Sequence, residues 1–270
     1  MNDVPSMSYG DYLELDLLLS AQRPRTDSSD ELLFITIHQA AELWIKLALR
    51  ELSESRAKLK VDAVGPAIKH MARVARIFEQ LIQSWDVLAT LTPPEYLAFR
   101  HRLGTSSGFQ SHQYRRLEFI LGNRRADTIA AHGARPEIVA LLEAERASPS
   151  LYDEAVALLA RRGFLSQPDL QHWRERADGD SATRVADDAV TAAWIDVYRH
   201  SAEHWDCYEL AEKLTDMDHA FQRWRFDHLT VVQRMIGAKA GTGGSAGVPY
   251  LRRVADTLLF PELWAARTAL

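Results

Sequence analysis

A histidine lies within an apolar, aromatic pattern in the last third of the chain. The residues that share its spacing of three or four are Phe221, Trp224, His228, Val232 and Met235. Residues at this spacing fall on one face of a helix. A buried imidazole needs partners for both ring nitrogens, and an iron ion on one with a hydrogen bond on the other would supply them. His228 is therefore a candidate proximal haem ligand, although from this face alone a core histidine bonded to a carbonyl is the better interpretation.

A second histidine repeats the pattern near the start of the chain. Phe34, His38, Ala41, Ile45 and Leu49 follow the same helical spacing. Two such faces make a haem held between two histidine-bearing helices conceivable. Taken alone, His38 is again more often a core histidine whose hydrogen bonds are satisfied within the protein.

Tyr96 and Arg100 are four residues apart, so both side chains project from one face of a short helix. A guanidinium group together with a tyrosine hydroxyl suits a small carboxylate. The alternative is a surface arginine stacked on a tyrosine, which is the better interpretation without further context.

The glycine-rich stretch 241–247 could hold an anion. Its first six residues match the pattern G-x-G-x-x-A, but a helix pattern precedes it, where a dinucleotide fingerprint requires a strand. It also lacks the Gly-Lys-Ser/Thr of a Walker motif. The hydroxyls of Thr242 and Ser245 and several backbone amides could still contact a ligand.

One further histidine motif resembles a zinc site. The stretch from His200 to His204 reads H-x-x-E-H, which some zinc peptidases use. The motif is short, no third ligand is specified, and the charged neighbours Arg199, Asp206 and Glu209 indicate a solvated face. We therefore assign it no function.

Helical periodicity runs through almost the whole chain, and no alternating run bounded by turn residues predicts a strand. The predicted fold class is all-α, a helical bundle of long core helices with shorter peripheral ones, in a single domain over 1–270. A capping box of Ser28 and Glu31 is predicted to open the first long helix. The predicted helices cover 30–58, 66–90, a short segment from Pro93 to before Gly104, 109–121, 191–214, 218–236 and a closing helix from Pro249. The segment 1–25 contains a short apolar helix, and the more polar region 122–190 is predicted to form short helices on the outside.

Composition limits the class of function. The chain has 270 residues, 47% of them hydrophobic, and a formal net charge of -5, so it offers no basic field for nucleic acid. Its one cysteine, Cys207, excludes an intramolecular disulfide. The first residues lack the pattern of a signal peptide, and no stretch approaches the ~18 apolar residues of a membrane span. We expect a cytoplasmic protein that binds neither nucleic acid nor a membrane.

Five stretches together resemble the tryptophan 2,3-dioxygenase family, in the same order from residue 9 to residue 264. They are Tyr9-Gly-Asp-Tyr12-Leu13-x-Leu-Asp16, Phe34-Ile-Thr-Ile-His38-Gln-x-x-Glu42-Leu-Trp44, Ser107-Gly-Phe-Gln-Ser111-x-Gln-Tyr-Arg115, Trp224-Arg-x-x-His228 and Gly241-Thr-Gly-Gly-Ser245. Each is moderately specific alone, and their order over most of the chain leaves little room for chance. One departure is Ala246, where many members have serine.

The resemblance implies that the core helices enclose haem b, one per subunit, with Fe(II) in the active form. His228 resembles the axial iron ligand, and His38 the distal histidine near the indole nitrogen. The resemblance also implies substrate-binding and haem-edge residues: Arg100 and Tyr96 at the substrate carboxylate, Thr242 at its ammonium, Phe34 at the indole, and Ser107 and Trp85 beside the haem. In this family a neighbouring subunit's N-terminus, here Tyr9, Tyr12 and Leu13, completes each pocket of a homotetramer.

The implied reaction adds both atoms of O2 across the indole C2–C3 bond of L-tryptophan and gives N-formyl-L-kynurenine, the first step of tryptophan catabolism by the kynurenine route. Two alternatives remain open. One is a helical haem protein that binds or senses oxygen without oxidising a substrate, and the other is a helical scaffold without haem in which both histidines belong to the core. Tryptophan-dependent oxygen uptake and a visible spectrum separate these alternatives.

Overall fold

The computed structural model describes residues 7–177, 185–239, 241–243 and 246–270. It confirms the all-α prediction, since the described residues form α-helices and short 3-10 turns and contain no strand. The α-helices of the described part are α1 (Tyr9–Leu13), α2 (Leu15–Leu19), α3 (Ser29–Lys60), α4 (Val64–Leu88), α5 (Pro93–Arg100), α6 (His112–Ile120), α7 (Pro136–Ala147), α8 (Leu151–Arg161), α9 (Gln167–Ala177), α10 (Asp188–Arg199), α11 (Trp205–Ile236), α12 (Val248–Ala255) and α13 (Pro261–Ala269).

Three long helices, α3, α4 and α11, form the centre of the fold, and α4 packs against both of the others. A short turn joins α3 to α4, and Asp62 in that turn adopts a left-handed conformation with φ 58°. On α4, Val74, Phe78 and Leu81 are fully buried, because they recur at the spacing that puts apolar side chains on one face. Phe78 meets Phe221 of α11 with ring centroids 5.5 Å apart. These contacts fix the helix that carries His228.

The start of α3 differs from the predicted capping box. Ser28 occupies the N-cap position, but its side chain makes no capping hydrogen bond. Glu31, which is 2% exposed, turns backwards instead and accepts hydrogen bonds from the backbone N–H of Arg25 and of Thr26, both at 2.8 Å. The capping box is therefore wrong, and Glu31 fastens the preceding loop to α3.

Helix boundaries in the last third also differ from the prediction. The break lies at residues 200–204 rather than near residue 216, and α11 then runs unbroken for 32 residues. Asp218, predicted to begin a new helix, lies inside α11, where its carboxylate is fully buried and accepts from the backbone N–H groups of Leu259 and Phe260 and from Trp264 Nε1. The closing segment forms two helices, α12 and α13, instead of one.

The region 122–190 is less peripheral than expected. In α8, Leu151, Tyr152, Val156, Leu158 and Leu159 are all fully buried and belong to the main core. Helix α8 packs against α3, so it forms part of the core rather than an outer layer. Polar residues at the helix ends and in the loops hid this apolar face in the composition of the whole segment.

Helix α3 is unusually apolar on its outer side. By length and composition alone, an 18-residue window of this helix could cross a membrane. This finding differs from the prediction that no stretch of the chain approaches a membrane span. Only 17% of that window is buried, and the exposed apolar side chains on α3 include Leu32, Leu43, Trp44 and Leu47. Its other side packs on α4, α6 and α8, as in a core helix.

Candidate active site

His228 lies in the second half of α11, half-buried beside Trp85 of α4. The two rings stack with centroids 4.7 Å apart and an interplanar angle of 15°. Trp85 is held in place because its Nε1–H donates to the backbone carbonyl of Trp224, one turn before His228, at 3.2 Å. Burial, and to a lesser degree the charge of His38, lowers the pKa of His228 to about 4. The imidazole is therefore neutral near pH 7.

Neither ring nitrogen of His228 hydrogen-bonds to a residue in the described parts of the chain. A desolvated imidazole without a protein partner is costly, because the lost hydrogen bonds to water are not replaced. A neutral imidazole nitrogen is also a good ligand for iron. The chemistry of this residue thus fits an axial haem ligand better than a core histidine bonded to a carbonyl.

His38 lies on α3, where its Nδ1 is 2.7 Å from the backbone carbonyl oxygen of Phe34. A carbonyl can only accept, so Nδ1 carries the proton and Nε2 of the neutral ring is an acceptor. Burial lowers the pKa of His38, while the hydrogen bond to Phe34 and the charge of Glu42 oppose that shift. Gln113 of α6 holds the Glu42 carboxylate with a 2.7 Å hydrogen bond. His38 is thus oriented and predominantly neutral near pH 7.

His38 and His228 are close enough for the charge of His38 to disfavour protonation of His228. Aromatic rings line the His38 side. The centroid of the Phe34 ring is 4.2 Å from that of His38, 5.4 Å from that of Phe99 and 5.9 Å from that of Tyr96. These rings offer an apolar wall of the kind that receives a flat aromatic substrate.

Arg100 and Thr242 meet at one cleft. The cleft measures about 340 Å³ and is lined by Leu97, Arg100, His101, Gly104 and Thr242. Arg100 also hydrogen-bonds to the hydroxyl of Tyr96, although burial dominates and raises the pKa of that tyrosine. The predicted carboxylate and ammonium partners, which are far apart in sequence, are therefore neighbours in the fold.

Two loops form the edge of this cleft. The Thr242 hydroxyl donates to the Ser106 carbonyl at 2.5 Å. At Gly243 an added Cβ would lie 2.5 Å from Ser107 Cβ and 2.9 Å from Ser107 Oγ, so only glycine permits this approach. Ser107 Oγ in turn accepts from the backbone N–H of Phe109 at 3.3 Å. Ser245, the other hydroxyl named in the glycine-rich stretch, lies outside the described residues.

The N-terminal residues are not part of this chain's own site. Helices α1 and α2 contain no buried residue. Tyr9 is 76% exposed, Tyr12 74% and Leu13 40%. These side chains are therefore not buried in the core of their own subunit.

The His200–His204 motif does not form a metal site. His200 follows the end of α10, and its Nδ1 pairs with the carboxylate of Asp196 at 2.9 Å. His204 precedes α11, so the two histidines do not share a helix. Among the described residues, no group of three or more His, Cys, Asp or Glu side chains could hold a metal ion.

Sequence reasoning missed a buried charge network beside the site. Arg115, Glu118 and Arg225 are each 3–4% exposed, and both arginines donate to the one carboxylate. It also missed His101, which lines the cleft. A signal was available for Arg225, since it stands three residues before His228 in a segment rich in aromatic residues.

An all-helical fold with two neutral histidines, aromatic rings beside one of them and an arginine at a cleft has the groups that a haem enzyme acting on a small aromatic carboxylate would need. The comparisons identify the family. A family model described as tryptophan 2,3-dioxygenase matches residues 2–174 and 164–270. Two relatives named tryptophan 2,3-dioxygenase are similar to this chain. The protein from Burkholderia pseudomallei is 56% identical and the one from Burkholderia mallei is 55% identical, each over 98% of this chain and 85% of the relative. The chain belongs to the tryptophan 2,3-dioxygenase family, which consists of haem-dependent dioxygenases.

Proposed function

We propose that this chain is a haem-dependent dioxygenase whose axial ligand is His228 and whose substrate pocket lies between His38 and the Arg100–Thr242 cleft. As a member of its family it oxidises L-tryptophan to N-formyl-L-kynurenine. The observation that supports the assignment of the pocket is the place of His38, whose ring lies 4.2 Å from that of Phe34 in a group of aromatic side chains and whose Nδ1 is bonded to the Phe34 carbonyl. Bound haem b, one per subunit and ferrous in the active form, supplies the redox chemistry that adds both atoms of O2 across the indole C2–C3 bond.

The residues present fit this cofactor. His228 offers a neutral nitrogen with no hydrogen-bond partner among the described residues, and Trp85 fixes its ring by stacking. The second nitrogen can still hydrogen-bond to water, as axial histidines commonly do. Ser107 lies at the cleft edge beside Gly243 and is proposed to face the haem edge.

The polar end of tryptophan is proposed to lie in the cleft. Arg100 donates to the substrate carboxylate, because its planar guanidinium matches the two carboxylate oxygens, and Tyr96 supports that contact. The Thr242 hydroxyl already donates its proton to the Ser106 carbonyl. Its oxygen lone pairs are then left to accept from the substrate ammonium.

The indole ring is proposed to pack against Phe34 with its N–H directed at His38. With Nδ1–H bonded to Phe34, His38 presents Nε2 as an acceptor. We assign it a hydrogen-bonding role rather than that of a general base. The pKa of His38 is lowered, and an indole N–H is a far weaker acid than imidazolium, so proton transfer would be strongly uphill.

The exposed N-terminus supports an assembled enzyme. An isolated helix of a few residues is marginal in water, and α1 and α2 leave Tyr9, Tyr12 and Leu13 largely uncovered. We propose a homotetramer in which these residues complete a neighbouring subunit's pocket.

The net charge of -5 fits a cytoplasmic enzyme whose ligands are L-tryptophan and O2, without nucleic acid or membrane partners.

Two measurements on the purified protein, prepared with haem supplied, test the proposal. We expect a Soret band and oxygen consumption that depends on tryptophan, with N-formyl-L-kynurenine as product. A Soret band without tryptophan-dependent oxygen uptake would favour the oxygen-binding alternative. The absence of any Soret band would reject the haem assignment.

A further inference from the structure

Arg225 is one of the most deeply placed charged residues in the protein. It lies on α11, three residues before His228, and is 4% exposed, with its guanidinium 4.1 Å from the centroid of the Phe221 ring. A buried guanidinium is costly unless its donors are used. The groups that accept hydrogen bonds from Arg225 therefore indicate its role in the structure.

Two of these partners are backbone carbonyls, one in the last turn of α12 and one just after the helix ends. Arg225 Nη1 donates to the carbonyl of Val254 at 3.2 Å and to that of Thr257 at 3.1 Å. The last carbonyls of a helix have no partner within the helix, and a cation there also offsets the negative end of the helix dipole. Arg225 thus caps α12 from the neighbouring helix.

The other partners attach the same guanidinium to α6. Arg225 Nη2 donates to Glu118 Oε1 at 3.2 Å, and Nε lies 3.4 Å from the Tyr114 hydroxyl. Glu118 also accepts from Arg115 at 2.5 Å. Arg115 in turn hydrogen-bonds to Tyr250, in the first turn of α12. The network therefore holds α12 near both of its ends.

Helix α12 packs on α11 at the surface, and its Tyr250 ring lies 5.5 Å from that of Phe109. None of its residues is buried, so it lacks the apolar anchoring of the core helices. It directly follows the loop that carries Thr242. Gly247 connects the two with φ 66°, and a Cβ there would lie 2.7 Å from the Lys239 carbonyl. Gly247, at the start of α12, therefore lies against Lys239 and Gly241, and so beside the neighbour of Thr242 in the chain.

We propose that Arg225 is a positioning residue for the ammonium end of the substrate: by clamping α12 to α11 and α6, it sets the loop that presents Thr242. This inference rests on the proposed function of Thr242. It assigns Arg225 no contact with substrate or haem. The consequence is that loss of the clamp weakens recognition of the ammonium group and leaves haem binding and recognition of the carboxylate in place.

The experiment compares two ligands of the haem-loaded enzyme, L-tryptophan and indole-3-propionate, which lacks the ammonium group. In Arg225→Lys we expect the dissociation constant for tryptophan to rise about 10- to 100-fold, the range expected for loss of one hydrogen bond to a charged group. The constant for indole-3-propionate and the Soret spectrum should stay unchanged. In a double-mutant cycle with Thr242→Ala, the two losses should be markedly less than additive, because both act on one contact.

A matched control and a second readout separate the clamp from a general loss of stability. Arg223→Gln changes an exposed arginine on the same helix, paired with Asp227 at 3.7 Å, and should alter neither ligand. Trypsin cleavage after the exposed Lys239 reports directly on the loop. We expect faster cleavage there in Arg225→Lys and in Glu118→Gln, which removes the carboxylate that Arg225 shares with Arg115.

The outcomes are distinguishable. Equal weakening of both ligands, or unchanged cleavage after Lys239, would overturn the positioning role. If the wild-type enzyme binds indole-3-propionate as tightly as tryptophan, the proposed ammonium contact of Thr242 fails. Faster cleavage in the Arg225 variant would in that case still establish the clamp on the loop.

Discussion

The close approach of the two loops at Gly243 offers a sharp test of how the cleft is built. In Gly243→Ala the new methyl group would lie 2.5 Å from Ser107 Cβ, whereas two carbon atoms normally approach no closer than about 3.5–4.0 Å. The loops must therefore separate by about 1 Å or more. The hydrogen bond from the Thr242 hydroxyl to the Ser106 carbonyl lies next to this contact and should lengthen with it.

The expected cost follows from overpacking, about 1–3 kcal/mol of unfolding free energy. Thermal unfolding should show this as a fall in Tm of roughly 2–4 °C per kcal/mol. The KM for tryptophan should rise as well, because Thr242 moves with its loop. Gly65→Ala is the matched control, since nothing lies within 4 Å of the Cβ it would add.

A second substitution tests whether the contact between residues 243 and 107 causes these losses. Ser107→Gly removes both atoms that the new methyl group would meet, at the cost of the hydrogen bond from the Phe109 N–H. The double variant should therefore be less destabilised than the sum of the two single variants. A Gly243→Ala protein with the wild-type Tm and KM, or a strictly additive double variant, would refute the reasoning.

Four further predictions concern the individual groups of the site. His228→Ala should fold but lose its Soret band on purification, and a wild-type spectrum would contradict the axial assignment. Arg100→Lys should weaken tryptophan binding by on the order of 2–5 kcal/mol while tryptamine, which lacks the carboxylate, is unaffected; equal losses would remove Arg100 from the site. Because burial lowers the pKa of His38 below its ordinary value of 6.5, kcat/KM should fall to half of its maximum only below pH 6.5, and a half-maximal loss at or above that pH would argue against a neutral acceptor. Mixing a chain truncated before Ser20 with a His38/Arg100 double variant should restore activity if the N-terminus acts in a neighbouring subunit, and no recovery in demonstrably mixed oligomers would reject the shared pocket.

The apolar parts of the site were predictable because they depend on local periodicity. Both histidines were located by spacing alone, since side chains three or four apart on a helix share a face whatever the rest of the chain does. Their assignment as ligand and distal residue came from the resemblance, because spacing cannot distinguish a ligand from a core histidine. The predicted helix boundary near Asp218 was wrong because the environment of this residue depends on distant contacts and not on local periodicity. Its carboxylate is stabilised by Leu259 and Phe260, more than 40 residues away, so an apparent helix start lies in the middle of α11.

The polar parts of the site depend on contacts that no local pattern contains. The Thr242 hydroxyl meets a carbonyl 136 residues away, and Arg225 meets Glu118 across 107 residues. A sequence pattern shows only that these residues are polar and flanked by apolar ones. A polar residue exposed to solvent would show the same pattern. Only the fold shows that both arginines of the Arg115–Glu118–Arg225 cluster share one carboxylate, so the buried cluster carries a net positive charge. Removing Glu118 would leave two buried cations without their shared partner, whereas Arg225→Lys keeps the charge and removes only the forked geometry. The two substitutions should therefore differ in stability even though both release α12: Glu118→Gln lowers Tm strongly, and Arg225→Lys acts mainly on the loop that carries Thr242.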